Sequence, residues 1–559
     1  MKYDVIVVGS GVGGAGVAYS LCKAGYKVAL LEKGKLIKRE EFSKDELAYV
    51  RRDIVTPNPF EEYHTIEERV DGAWVSTSTY ASGWSFWNGN IVGGSSTFMS
   101  GMFHRMHPDD FRLKSKYGKI KGANVEDWAI SYEELEPYYT LAEELVGITG
   151  RANTHRFSPP RSRTYFSQAP TKENEVVKLF DKSCKDLGVT SLVTARAILS
   201  KDRGTRKGCY YSNFCGSYGC SSGAKGSAME ALIKPALATG NLTLMSNTYV
   251  KKLLCNTETE VESVLVLNTI TKEEKQLFAK VFVVAAQAHE SARLLLNSAN
   301  KYYPDGLANS SGELGKNLLF SGGGYGYGEL HKDALQQISF ASLMQKGLFI
   351  NRSILDWYFV EHWWKGKFKG GLVEFMFEHQ NIISRAVRST KSEHKLLWGK
   401  ALGEHLVSKF TKSKNVRFEV FTDWLPHSNC FISLDKTHKD TYGMPVGKLR
   451  IEAHPQDVKV GEYLAKKCEA VLEEMGATNI RSVINALPPP NLIAGGCRFG
   501  TNPKTSVLNK YCQTHDIENL FVSDASFMPT GGSTPYSWTI YANALRVGEH
   551  IVKQLRKRS

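Results

Sequence analysis

Gly9, Gly11 and Gly14 follow one another at the spacing GxGxxG, and a carboxylate, Glu32, comes one helix and one strand later. Glycines so placed let a backbone tighten and approach a pyrophosphate, while the acidic residue accepts the hydroxyls of an adenosine ribose. A second stretch, Gly93-Gly94-Ser95-Ser96-Thr97, follows the aromatics Trp84, Phe86 and Trp87. Glycine permits close approach and hydroxyls supply hydrogen bonds, the composition of backbone laid against a flat cofactor. Near the other end, Asn519-Leu520-Phe521-Val522-Ser523-Asp524 closes on a carboxylate ahead of a helix, where it can meet the sugar chain of a flavin. No second GxGxxG follows a later strand, and a fingerprint this early in a long chain suits a tightly held FAD better than an exchangeable nicotinamide.

Those residues need a strand, a turn and a helix to hold them. The apolar run Val5-Ile6-Val7-Val8 predicts a buried parallel strand, 15–24 a helix and Val28-Ala29-Leu30-Leu31 the next strand, one βαβ unit. Further along, helices are expected over 130–147, 173–186, 228–237 and 291–297. Strands are expected over 242–245, 249–254, 261–267 and 278–286, and a charged surface helix over 35–52. From 322 the character changes: glycines at 322–328, then aromatics among lysines. Strands over 371–377 and 416–421, a long amphipathic helix over 456–475 and a closing helix over 537–556 complete the pattern. The fold class implied is α/β, Rossmann-like and doubly wound, with an α+β substrate domain built on an antiparallel sheet. We place the first domain at 1–320 plus 490–559, with a cysteine-bearing insertion at 205–225, and the second at 321–489.

Composition is that of a globular protein of 559 residues, with 71 Lys plus Arg against 57 Asp plus Glu, a net charge of +14. The excess favours acidic partners or an anionic surface, and nothing points to nucleic acid. No apolar run reaches the roughly 18 residues of a membrane span. Because the chain starts on a core strand, no signal peptide of its own is expected. The cytoplasm is the default expectation, with export only alongside a partner chain. The segment Trp363-Trp364-Lys365-Gly366-Lys367-Phe368-Lys369 mixes aromatics and cations, which suits docking to an acidic redox partner or peripheral contact with a membrane. Ten cysteines are scattered as reduced thiols would be, except for the cluster Cys209, Cys215 and Cys220.

Taken in order, six motifs resemble the glucose-methanol-choline (GMC) oxidoreductases. They are the first fingerprint, Gly93-Gly94-Ser95-Ser96, the run from Ala285-Ala286 through Ser291-Ala292-Arg293-Leu294-Leu295, the glycine-rich 495–500, Thr505-Ser506-Val507, and the stretch ending at Asp524. Within that family the chain is most similar to the gluconate, fructose and glucose dehydrogenase flavoprotein subunits, through Ile432-Ser433-Leu434-Asp435 with Asp440, Gly443 and Pro445, and through the cysteine segment. The resemblance implies FAD surrounded by Gly9, Gly11, Gly14, Glu32, Gly94, Ser95, Val250, Asp524 and Ala525. It implies a small subunit and a cytochrome or other redox partner, and a three-iron cluster on Cys209, Cys215 and Cys220, with Ser212 where related sequences often have a fourth cysteine. Phe98 and Met99 follow Thr97, so no His, Cys or Tyr stands there to bond the flavin, and the FAD is expected to be non-covalent.

The family's proton-handling pair is a histidine and an asparagine. Leu492 stands at the histidine position and Pro535 at the asparagine position, or Thr534 if the following proline sets the register. None of these supplies the usual general base. Tyr536, Arg498 and His289 are the local substitutes. The expected activity is an FAD-dependent dehydrogenase acting on a hydroxyl of a sugar, polyol or related small molecule and passing electrons onward. The altered pair leaves two alternatives: other flavin chemistry such as desaturation, reduction or decarboxylation, or a flavin-bound electron-transfer or assembly subunit.

Overall fold

In the computed structural model, residues 3–47, 58, 60–82, 84, 86–332, 335, 338–360, 368–392, 395–484, 488 and 492–558 are described. The expected docking residues Trp363 and Trp364 lie outside them. A five-stranded parallel sheet holds the first βαβ unit, in the order Leu520–Val522, Val281–Val284, Val5–Val8, Val28–Leu31, Leu242–Met245. Strands from both ends of the chain therefore share one sheet. Its central strands are buried on both faces, which is why they read as unbroken runs of Val, Ile and Leu. The fingerprint helix Val12–Lys23 crosses the closing helix Ser537–Arg558 at small residues: a Cβ on Gly16 would lie 2.6 Å from Ala544 Cβ. An antiparallel meander, Thr248–Cys255, Val261–Asn268 and Glu274–Phe278, follows the fifth strand.

A six-stranded antiparallel sheet forms the second layer, in the order Thr478–Ile484, Gly322–His331, Ser413–Thr422, Gly371–Phe377, Arg352–Ile354, Leu192–Val193. The amphipathic helix Pro455–Glu474 covers one face, packing Val460, Leu464, Cys468 and Val471 on Val373, Phe375, Val416, Phe418 and Val420. Because side chains alternate along a strand, Leu372, Glu374, Arg417, Glu419, Tyr325 and Tyr327 project from the other face. That face meets the parallel-sheet layer across the main cavity.

Several expectations are corrected. The charged stretch 35–52 carries only a 3₁₀ turn, Arg39–Glu41, over most of its described part, since charge without an apolar stripe gives a helix nothing to bury. The run expected as one strand over 278–286 divides: Phe278 ends the meander, and Val281 starts a strand of the parallel sheet after its N–H, like that of Lys280, bonds to Asp4 O. Helix 228–237 opens with a π-turn, Met229–Ile233. Gly322–His331 is a ten-residue strand, read only as glycine-rich in sequence. At Gly326 a Cβ would lie 2.2 Å from the Phe418 ring, so that position must be bare. Phe431–Lys439 and Pro445–Arg450, inside the expected second domain, pair instead in one sheet with Thr65–Val70 and Ala73–Ser78. The boundary drawn at 321–489 therefore cuts through a sheet.

Candidate active site

The turn after Val5–Val8 is closed on three sides by backbone. A Cβ on Gly9, whose φ is +95°, would meet Ala285 O at 2.2 Å; one on Gly14 would meet Gly9 O at 1.9 Å; one on Gly13 would meet Ser523 O at 2.3 Å. Gly11 is the exception, with nothing within 4 Å on its Cβ side. The turn thus leaves an opening at the helix N-terminus, where N–H groups and the dipole favour a phosphate. Glu32, at the end of the second strand, accepts from the Ser10 N–H (3.1 Å), the Ser10 hydroxyl (2.6 Å) and the Gly34 N–H (2.9 Å). Burial pushes its carboxyl up despite those bonds. Ser10 Oγ in turn accepts from the Gly93 N–H at 2.9 Å, tying the fingerprint to the second glycine stretch.

All of this borders one cavity of about 1810 Å³. Its lining includes Gly9, Gly11, Glu32, Gly94, Ser95, Val250, Asp524 and Ala525, with Gly14 beneath the turn. Gly94, at φ +56°, puts its Cβ position 3.1 Å from Gly11 Cα, so the two glycine segments face each other closely. Asp524 caps the turn Ala525–Phe527, accepting from the Ser526 N–H (2.9 Å), the Gln287 N–H (3.1 Å) and the Ser291 hydroxyl, and burial pushes its carboxyl up. The Oγ1 atoms of Thr97 and Thr534 are buried without a hydrogen-bond partner. A bare cradle and a carboxylate at the second strand's end, both on the cavity, fit a dinucleotide such as FAD.

Leu492, Pro535 and Tyr536 border the same cavity. The three substitute candidates are corrected. The Tyr536 hydroxyl donates to Phe320 O, and burial raises it well above its ordinary range, so it is no base near neutral pH. Arg498 lies outside this cavity. It bonds Glu313 Oε2 (2.8 Å), Thr505 O (3.0 Å) and Asn124 O (3.3 Å), and lines a separate apolar groove. His289 is fully buried, stacked on Phe86 at 3.7 Å, and burial pulls its imidazole down to about 3. Local sequence shows a polar residue but not the distant partner that occupies it.

Among the described residues, His64, His289 and Glu290 stand close enough to surround a metal ion. However, His64 Nδ1 accepts from the Gly447 N–H (3.1 Å), which leaves the proton on Nε2, 2.9 Å from Glu290 Oε1. A protonated nitrogen offers no lone pair to a metal.

Cys209, Cys215 and Cys220 pack around one small apolar cluster, Ile198, Leu199 and Ala224. Burial pushes the Cys209 thiol up to about 12 and raises Cys215 too. At Cys220 burial opposes, but the Lys225 ammonium and hydrogen bonds from Ser222 bring the thiol down. Lys225 donates to Thr97 O (3.0 Å), Cys215 O (2.8 Å) and Tyr218 O (2.8 Å), binding the cysteine loop to the glycine-serine turn. Three thiols suffice in number for a three-iron cluster, while Ser212 leaves the loop one thiol short of a four-iron one.

Two side chains escaped sequence reasoning. Glu374, midway along Gly371–Phe377, borders the cavity, and its Oε1 lies 2.5 Å from His104 Nε2. Strand alternation could have flagged Glu374 as a charge on a buried strand. Nothing local marks His104.

Family models described as GMC oxidoreductase match residues 4–320 and 426–544. The chain is 30% identical to 2-methyl-1,2-propanediol dehydrogenase of Mycolicibacterium austroafricanum, over 99% of this chain and 95% of that one. It is 25% identical to the fructose dehydrogenase large subunit of Gluconobacter japonicus, over 100% and 99%. Among solved structures, a formate oxidase of Aspergillus oryzae, in which FAD modification was followed, superimposes with a TM-score of 0.63 at 14% identity, covering 100% of this chain and 99% of that one. With the cradle described above, these matches show that the chain belongs to the GMC oxidoreductases, FAD-dependent oxidoreductases acting on CH–OH groups.

Proposed function

We propose that this chain is a dehydrogenase that oxidises a hydroxyl of a sugar, polyol or related small molecule with non-covalent FAD, and delivers the electrons to a partner protein rather than to oxygen. One observation carries the reading. The dinucleotide cradle and a polar sheet face, with Tyr325, Tyr327, Glu374, Arg417 and Glu419, border one continuous cavity. When bound, FAD supplies the hydride acceptor. Gly9, Gly11 and Gly14 then admit its pyrophosphate, Glu32 its ribose, and Asp524 with Ala525 its sugar chain. The donors and acceptors of the sheet face orient hydroxyls, while Leu492 and Pro535 keep the wall between apolar.

Relatives that include a large subunit support a partner protein. So does the cysteine loop: Gly216 and Ser217 border the cavity, and the Ser217 N–H bonds Phe98 O at 2.9 Å. In this reading electrons leave by that loop. The three-iron cluster expected there is tested by iron and acid-labile sulfide in anaerobically purified protein; three irons per chain are expected if it is present, and none would remove it. Among the described residues no helix is long and apolar enough to cross a membrane.

Anaerobic bleaching of the flavin by a panel of sugars and polyols tests the main reading. Bleaching by at least one member is expected; a flavin bleached by dithionite but by no alcohol would refute it. That second result would favour non-alcohol flavin chemistry or an electron-transfer role, to which the apolar Leu492 and Pro535 already lend support.

A further inference from the structure

Oxidising an alcohol requires a group to receive the hydroxyl proton, and the cavity wall at Leu492 and Pro535 holds none. Resting on the alcohol-oxidation reading above, we propose that the Glu374 carboxylate receives the substrate's hydroxyl proton and that His104, whose Nε2–H donates to it, positions it.

Glu374 is placed for this by the strand that carries it. Leu372 and Glu374 project from the cavity face of Gly371–Phe377, while Val373 and Phe375 pack under the helix. Leu372 packs in the same small apolar cluster as Leu492, and its N–H points to Ser533 O at 3.4 Å, two residues before Pro535. Glu374 lies two residues further on, roughly 7 Å along the strand, about the reach of a small sugar from the vacated positions. Its side chain is only 1% exposed, so the carboxylate lies within the cavity wall, and a substrate hydroxyl reaches it only where a neighbouring side chain gives way. His104 follows Met102–Phe103, both on the cavity wall, and its Nε2–H fixes Glu374 Oε1, which leaves Oε2 to accept.

The neighbouring carboxylates are engaged differently. Glu419, directly across the ladder from Glu374, pairs with Arg417 at 2.9 Å, and Glu378 pairs with Arg385 at 3.0 Å. A guanidinium cannot accept a proton. Two other carboxylates on the wall do meet histidines. Glu290 with His64 sits beside Lys33 at the Glu32 end, and Glu329 with His331 sits at the far end of the sheet, opposite Asn415 and Ser413. Neither is next to Leu492. The groups facing Glu374 are His104, Glu419, Ser353 on the other neighbouring strand, and the buried Arg196 guanidinium, whose charge acts on Glu374.

The bookkeeping closes. As the carbinol C–H bond breaks, its hydride and both electrons go to oxidised flavin. The O–H proton goes to the Glu374 carboxylate, whose Oε1 is held by the His104 Nε2–H, leaving a carbonyl product and a neutral carboxyl that returns the proton to water as the product departs.

The test uses holoenzyme carrying Glu374→Gln, His104→Gln or His104→Leu, with FAD content and visible spectrum as controls expected to match the wild type. Anaerobic stopped-flow reduction by the best alcohol of the panel is expected to slow about 10²- to 10⁴-fold in Glu374→Gln. His104→Gln, whose side-chain N–H can replace the Nε2–H, is expected to keep more of the rate than His104→Leu, which removes the donor. A readout independent of turnover is the His104 imidazole resonance, assigned by its disappearance in His104→Gln. At fixed pH it is expected to shift in Glu374→Gln, because its charged partner becomes a neutral amide. A pair that merely packs would make His104→Leu no slower than His104→Gln. Reduction of Glu374→Gln within threefold of a bleachable wild type, or an unmoved His104 resonance, would overturn the proposal alone. A wild type bleached by no alcohol would overturn the alcohol reading and this proposal together.

Discussion

Replacing Lys369 with methionine removes one cation from between two buried carboxylates. Lys369 Nζ lies 2.5 Å from Asp110 and 2.6 Å from Asp423, and the three side chains are 5%, 0% and 9% exposed. The Tyr358 hydroxyl also donates to Asp110, at 2.7 Å. Burial, with the neighbouring Asp110, pushes the Asp423 carboxyl up against the pull of Lys369, and burial would lower the Lys369 ammonium were it not for the two acids, which raise it. Methionine fills much of the same volume and supplies no charge, so the carboxylates are left facing each other. Breaking a buried pair in this way costs about 3–5 kcal/mol. The loss should depend on pH with a definite sign. In the variant the Asp423 carboxyl, already raised by burial, loses the ammonium that holds it down and rises further, so the deficit is full at neutral pH and shrinks as acidification protonates it in the folded state. Urea midpoints of the holoenzyme between pH 5 and 8 measure this, and Lys369→Met combined with Asp110→Asn and Asp423→Asn should recover much of the deficit. A Cβ on Gly532 would lie 3.4 Å from Asp110 Oδ2, so the segment leading to Pro535 should loosen with the pair. A single variant within about 1 kcal/mol of the wild type, or a triple variant no more stable than the single one, would refute the reasoning.

Gly11→Ala should fold normally but retain FAD at least about tenfold more weakly, a loss of about 1.4 kcal/mol, since its Cβ enters open cavity rather than backbone; equilibrium dialysis measures this, and unchanged affinity would move the pyrophosphate elsewhere. Acid precipitation should release all the flavin, and yellow colour kept in the washed pellet would disprove non-covalent binding. Below its ordinary value of 6.5, His289 takes a proton in the unfolded chain but not in the fold until about pH 3. Each pH unit in that window therefore costs roughly 1.4 kcal/mol, and His289→Gln should flatten the acid limb of stability; an unchanged limb would place the acid sensitivity elsewhere.

Legibility followed the range of the physics. The fingerprint turn and Val5–Val8, Val28–Leu31, Leu242–Met245 and Gly371–Phe377 were readable because an apolar run bounded by turn residues is local information. Gly322–His331 was not, because its bare face answers to the Phe418 ring on the neighbouring strand. Tyr536, Arg498 and His289 were chosen for their chemistry, and each is spent on a partner far away in sequence: Phe320, Glu313 and the Phe86 ring. Glu374 and His104 went unseen for the same reason in reverse, since 270 positions separate the two halves of that hydrogen bond.

The sharing of one parallel sheet by both ends of the chain sets a timetable for synthesis. Val284 pairs with Val522, so the inner strands leave the ribosome with one edge bare and wait for about 240 further residues, some 10–50 s at ordinary rates of translation. Through that interval Val281–Val284 presents an unsatisfied row of amides and apolar side chains. Asp524 and the helix Ser537–Arg558, which complete the cradle, emerge later still. FAD can be enclosed only after nearly the whole polypeptide exists, and a nascent chain stalled before residue 520 should be a client for chaperones rather than a flavoprotein.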